Sequence, residues 1–182
     1  VINSLTMKTI GDITEAKSKS AVFTFGRFNP PTSGHEKLIQ KISAKAKTLG
    51  ADPLVYSSKS QDPRKNPLDY KIKMNFLKKF FGRKVKFPLS NITNVFDILV
   101  QLNDQGYTDI SMIVGSDRVN EFKKLLNMYN GKTNRHGRYD FESINVISAG
   151  ERDPDAEGAS GMSASKARQI ASDGDYEEFK KA

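Results

Sequence analysis

The chain alternates short, apolar, β-prone runs with longer stretches of helical periodicity, and this constrains its fold more than any other feature. "AVFTF" (21–25), "PLVYSS" (53–58), "DISMIVG" (109–115) and "INVISA" (144–149) each read as a buried strand, and "KVKFPL" (84–89) as a further short one. Between them, Leu38, Ile39, Ile42, Ala46 and Leu49 recur at helical spacing, and Gly50 supplies a stop. Leu68, Ile72, Phe76 and Phe80 step by four, which predicts an amphipathic helix with lysines on its other faces. Val95, Ile98, Leu99 and Leu102 predict another helix, as do Val119, Phe122, Leu125 and Leu126; "SASKARQIA" (163–171) predicts the last. "NMYNGKTNRHGRYD" (127–140) reads as an inserted loop, with Arg135, His136 and Arg138 as exposed basic residues. Strands separated by helices of this length pair in parallel through crossovers. The expected class is therefore α/β, a doubly wound open sheet with helices on both faces.

In such a sheet, ligands bind beyond the carboxyl ends of the strands, so the residues after each strand carry the functional argument. "GRFNPPTSGH" (26–35) follows the first strand. Gly26 permits a sharp turn and close backbone approach, and Pro30 and Pro31 stiffen the connection. Ser33 to Glu36 fits the S-x-x-E capping pattern, which predicts Ser33 as N-cap. His35 then falls among the unpaired N–H groups of the first turn, in line with Ile39, Ile42, Ala46 and Leu49 and so facing the sheet. The last helix opens with Ser163 and Ser165 as candidate caps but also with Lys166 and Arg168. Cations there oppose the helix dipole, a conflict that a bound polyphosphate resolves. "GSDR" (115–118) places Gly115 at another strand end, where a base or ribose can lie against the backbone, and Asp117 at a helix start.

Composition narrows the class. A length of 182 residues suits one sizeable domain, and no apolar run approaches the roughly 20 residues of a membrane-spanning helix. Lacking cysteine, the chain has neither disulfides nor thiolate metal sites, which is compatible with the expected cytoplasmic location. Lysine and arginine outnumber the acids 29 to 21, an excess that suits a phosphate-rich partner. Lys78, Lys79, Arg83, Lys84 and Lys86 read as a solvated face and turn rather than a nucleic-acid surface. The expected organisation is a polar arm at 1–20, one domain at 21–172 and a tail at 173–182 that opens a further helix.

Taken together, these stretches resemble the (H/T)xGH nucleotidyltransferase superfamily of cytidylyltransferase-like, Rossmann-like domains, and in particular the nicotinamide and nicotinate mononucleotide adenylyltransferases. "GRFNPPTSGH" is similar to the G-x-F-x-P-x-(H/T)-x-G-H signature, with Thr32 where the first histidine often stands. "GMSASKAR" (161–168) resembles the second signature, "IVGSD" the adenosine-contacting strand end, and "NPLDYKIKM" an Asn-Pro helix start. The resemblance covers roughly 21–171 and implies transfer of an adenylyl group from ATP to a phosphate-bearing acceptor, nicotinamide or nicotinate mononucleotide, with release of pyrophosphate. It implies that His35 donates to the α-phosphate with help from Thr32, and that Ser163, Ser165 and Arg168, with Lys166, hold the β- and γ-phosphates. Arg27 would contact phosphate, and Gly26, Phe28, Gly34, Gly115 and Asp117 would shape the nucleotide pocket. Mg²⁺ would arrive with ATP, with no dedicated protein metal site. The rival reading is a nucleotide- or nucleic-acid-binding module, or a domain of a larger assembly, that keeps the fold without the catalysis. No membrane partner is expected.

Overall fold

A computed structural model describes residues 18–88, 92–150 and 162–180. Four strands, β1 (Ser20–Gly26), β2 (Asp52–Ser57), β3 (Asp109–Val114) and β6 (Ser143–Ser148), form one all-parallel sheet in the order β2-β1-β3-β6. The period of two along each strand divides the core. Ala21, Phe23, Leu54, Tyr56, Ile110 and Met112 point to one face, where α3 (Val95–Asp104) and α4 (Val119–Met128) cover them. Val22, Val55 and Ile113 point to the other, under α1 (Ser33–Leu49) and α2 (Tyr70–Phe81). This is the expected Rossmann-like α/β sheet with helices on both faces. The chain steps outward from β1 to β2, then crosses back over β1 to β3 and on to β6, so the switch point lies between β1 and β3.

Ser20, assigned above to the arm, belongs to β1. The N-cap of α1 is Thr32, not Ser33, and its partner three residues on is His35 rather than Glu36. Both threonine and serine suit that position, and the ring nitrogen of His35 selects the first by accepting the Thr32 N–H. Ile39, Ile42 and Ala46 are buried as expected, but Leu49 lies exposed in the last turn of α1.

Helix α2 departs furthest from its periodicity. It buries Lys73, Met74, Leu77 and Phe81, leaving Ile72, Phe76 and Phe80 facing outward. The helix carries two apolar stripes, and the sheet takes the one that meets Val55 and Ile42. "KVKFPL" contributes a single bridge, with Lys86 pairing beside Leu54; Leu89 lies outside the described residues. The inserted loop contains a small antiparallel hairpin, β4 (Thr133–Asn134) with β5 (Gly137–Arg138). His136 is not merely exposed: it stacks on Phe96 at 5.5 Å and lies 3.2 Å from the Asp97 carboxylate. After α5 (Ala164–Asp173), Gly174 ends the helix in a left-handed conformation, and α6 (Tyr176–Phe179) adds the single turn anticipated in the tail.

Candidate active site

A crevice of about 570 Å³ opens at the carboxyl ends of β1 and β3, at the switch point. Every helix around it runs opposite to the strands, so the N-terminal turns of α1, α3 and α5 and the turn before α4 converge there. Their unpaired N–H groups make the opening favourable to an anion before any side chain is counted. Arg27, Lys65, Arg118 and Arg168 line it, and among the described lining residues there is no carboxylate.

His35 enters from the first turn of α1 and lines the crevice. Its Nδ1 accepts the Thr32 backbone N–H at 3.0 Å, which in the neutral ring leaves the proton on Nε2. The ring packs on Phe28 with centroids 4.9 Å apart. Phe28 has φ 49°, a left-handed conformation that a bulky side chain adopts only under constraint; such outliers cluster at ligand sites. Thr32 itself is buried and lies behind the crevice: its hydroxyl donates to the Met162 carbonyl at 3.1 Å and approaches His35 Nδ1 at 3.0 Å.

That bond to Met162 joins the two sequence motifs. Gly34 completes the joint, because a Cβ on it would collide with the Met162 carbonyl oxygen and stand 3.3 Å from the carbonyl carbon. Gly34 therefore acts through packing and does not line the crevice. On the α5 side, Ser163 caps the helix by accepting the Lys166 N–H at 3.1 Å. Ser163, Ser165 and Arg168 face the crevice, whereas Lys166 is exposed outside it. Arg168 bends back across the gap: one guanidinium nitrogen donates to the Asn29 carbonyl at 2.5 Å, another to Ser165 Oγ at 3.1 Å. Asn29 in turn exchanges two side-chain hydrogen bonds with the Leu68 backbone at 3.1 Å. The guanidinium is thus held at the mouth by the first motif.

Gly26 and Gly115 line the crevice at the ends of β1 and β3. Asp117 does not line it and caps no long helix. It sits exposed in a single 3-10 turn, Ser116–Arg118, with Oδ1 only 2.6 Å from where a Gly115 Cβ would stand. Its neighbour Arg118 takes the expected place in the crevice, lying over the Phe122 ring at 4.7 Å and pairing with Glu121 at 3.2 Å. No spacing in the sequence marks Arg118 for that place. Ser58, Ser60 and Lys65, from the loop after β2, form another wall. Asp62 shapes that loop by accepting the Arg64 and Lys65 N–H groups, which hold its carboxyl below the usual range. Beneath it, the buried Lys73 donates to the Ser58 carbonyl at 2.5 Å, and desolvation pushes its pKa down to about 8 despite the opposing charge of Asp69. Thr93 and Asn94, at the start of α3, close the far side.

No group of three His, Asp or Glu side chains among the described residues is placed to hold a metal ion. The donor set is one of hydroxyls, backbone N–H groups and cations, which matches phosphate oxygens rather than a divalent metal. No helix among the described residues is long and apolar enough to cross a membrane.

No protein-family model matches the chain, and no curated protein is similar to it at a significant level. Among solved structures, it is similar in fold to the Plasmodium falciparum nicotinic acid mononucleotide adenylyltransferase complexed with NaAD. The TM-score is 0.58 at 19% identity, over 90% of this chain and 89% of that one. At that identity the likeness establishes the fold: a parallel, Rossmann-like sheet of the kind found in a nucleotidyltransferase.

Proposed function

We propose that this chain is a nucleotidyltransferase that moves an adenylyl group from ATP to the phosphate of nicotinate or nicotinamide mononucleotide. One observation carries the reading: a crevice at the sheet's switch point lined, among the described residues, by four cations, several hydroxyls and converging helix N-termini, and by no carboxylate. A ligand complementary to that lining is a polyphosphate. The fold neighbour's complex with a dinucleotide supports the choice of acceptor.

The chemistry asks little of the protein beyond placement and charge stabilisation. An acceptor phosphate has a second pKa of about 6 and is already a nucleophile at neutral pH. Its oxygen forms a bond to the α-phosphorus of ATP while the bond from that phosphorus to the bridging oxygen breaks, and pyrophosphate leaves with the electron pair. His35, its proton set on Nε2 by the Thr32 N–H, donates to the α-phosphate as charge builds. Ser163, Ser165 and Arg168 hold the leaving β- and γ-phosphates, while Arg27, Arg118 and Lys65 balance the remaining charge. Gly26 and Gly115 leave room for the nucleoside. Mg²⁺, carried on the triphosphate, would supply further charge neutralisation.

The test is to incubate the chain with ATP, Mg²⁺ and each mononucleotide and follow pyrophosphate and dinucleotide. Formation of both products is expected. ATP binding with no product from either acceptor would favour a binding module instead.

A further inference from the structure

Phe76 and Phe80, from the outward stripe of α2, form one side of a second, larger groove of about 830 Å³, whose other side is built from α5 and α6. They are 42% and 55% exposed, and across the groove Tyr176 and Phe179 are 67% and 39% exposed. At roughly 200 Å² for an aromatic side chain, these four residues leave on the order of 400 Å² of largely apolar surface in water. That is about half of the roughly 800 Å² per partner that a stable interface buries.

The two walls have opposite charge. On the α2 side, Lys79 flanks the Phe76–Phe80 stack and Arg83 follows one turn on, with Lys78 beside them. The other wall is flanked by Asp173, Asp175, Glu177 and Glu178 around Tyr176 and Phe179, with one cation among them, Lys180, paired to Glu177. The charged residues that line the groove itself are engaged within the chain: Glu36 with Lys84, Lys180 with Glu177, Arg168 with Asn29 and Ser165. A polyanion such as single-stranded nucleic acid would suit the α2 wall and be repelled by the α6 wall.

From this surface we infer that the groove is a homodimer interface, in which a twofold axis sets the basic, aromatic α2 of one copy against the acidic, aromatic α6 of the other. One basic and one acidic wall make the patch self-complementary under twofold rotation, because each α2–α6 contact occurs twice. The α2 stripe fills the partner's groove, so the aromatic rings of both walls leave water together. This inference is independent of the reaction proposed above.

Sedimentation velocity across a micromolar concentration range tests it. The chain should sediment as a dimer whose thermal midpoint rises with concentration, and the double variant Phe76→Ser, Phe80→Ser as a monomer whose midpoint equals that of the wild type at concentrations where the wild type has dissociated. The charge reversals Lys79→Glu with Arg83→Glu, and Glu177→Lys with Glu178→Lys, should each give a monomer. Mixing those two variants should restore the dimer, because both symmetry-related contacts then pair opposite charges. Four results would overturn the inference. They are a monomer throughout, a dimer indifferent to these changes, a monomer that the Phe76 and Phe80 substitutions destabilise relative to dissociated wild type, and a monomer that binds a labelled single-stranded oligonucleotide through them. The third would mean that the chain covers its own groove, and the fourth that nucleic acid occupies it.

Discussion

Replacing Gly34 by alanine sets two physical effects of opposite sign against each other. Gly34 lies in the first turn of α1, where helix propensity alone favours alanine by about 1 kcal/mol. In this fold the added methyl runs into the Met162 carbonyl, which is backbone and cannot rotate away. The segment leading into α5 must retreat, and the Thr32 hydroxyl then loses its 3.1 Å bond to that carbonyl. Overpacking costs about 1–3 kcal/mol, and leaving a buried acceptor unpaired costs another ~1–3 kcal/mol. Partial relaxation of α5 offsets some of this, so the expected net loss is about 2 kcal/mol. Because α5 carries Ser163, Ser165 and Arg168, affinity for an ATP analogue should fall with stability. Urea unfolding at neutral pH, paired with calorimetric titration of the analogue, reads both. A variant about 1 kcal/mol more stable, with unchanged affinity, would refute the claim that the two motifs dock through this glycine.

Two further predictions concern charge. Lys73→Met removes a buried cation whose folded pKa of about 8 lies below the ordinary 10.5, so the folded state sheds its proton first as pH rises. The wild type should therefore gain stability relative to the variant between about pH 8 and 10.5, by about 3 kcal/mol at 1.36 kcal/mol per unit; a difference that stays constant with pH would contradict this. Tyr107→Phe removes a 2.7 Å hydrogen bond to Asp52, whose carboxyl is held low first by Lys86 at 2.6 Å and then by this hydroxyl. The depressed pKa stabilises the fold above about pH 4 and is lost as pH falls through the folded value, so the variant's deficit of about 1–2 kcal/mol at neutral pH should shrink in acid. Urea midpoints at pH 7 and pH 3 measure it.

How much was legible in advance depended on whether a signal was local. The strands were readable because each is a short β-prone run ended by glycine or a polar turn, and their alternation with helices leaves only the parallel arrangement. The crevice was readable at both motifs, since a turn of glycines and prolines sets His35 at a helix start after a strand, and Arg168 near the start of α5 opposes the helix dipole. Helix α2 misled because periodicity finds two apolar stripes, 72/76/80 and 74/77/81, and only the sheet decides between them. The cap of α1 moved by one residue because Thr32 and Ser33 both suit the position and the deciding acceptor is an imidazole nitrogen. Lys65 and Arg118 enter the crevice through chain turns that no spacing rule encodes. Asp117, adjacent in sequence, turns away for the same reason.

If the crevice stabilises a reacting α-phosphate through His35, then His35→Ala separates turnover from binding when kcat and analogue affinity are measured on the same preparation. Losing a single donor to developing charge lowers kcat by about 100- to 1000-fold, while the affinity, held mainly by Arg168 and the helix N-termini, should change only a few-fold. Turnover unchanged by the substitution, or affinity and turnover lost together in a folded protein, would contradict the account.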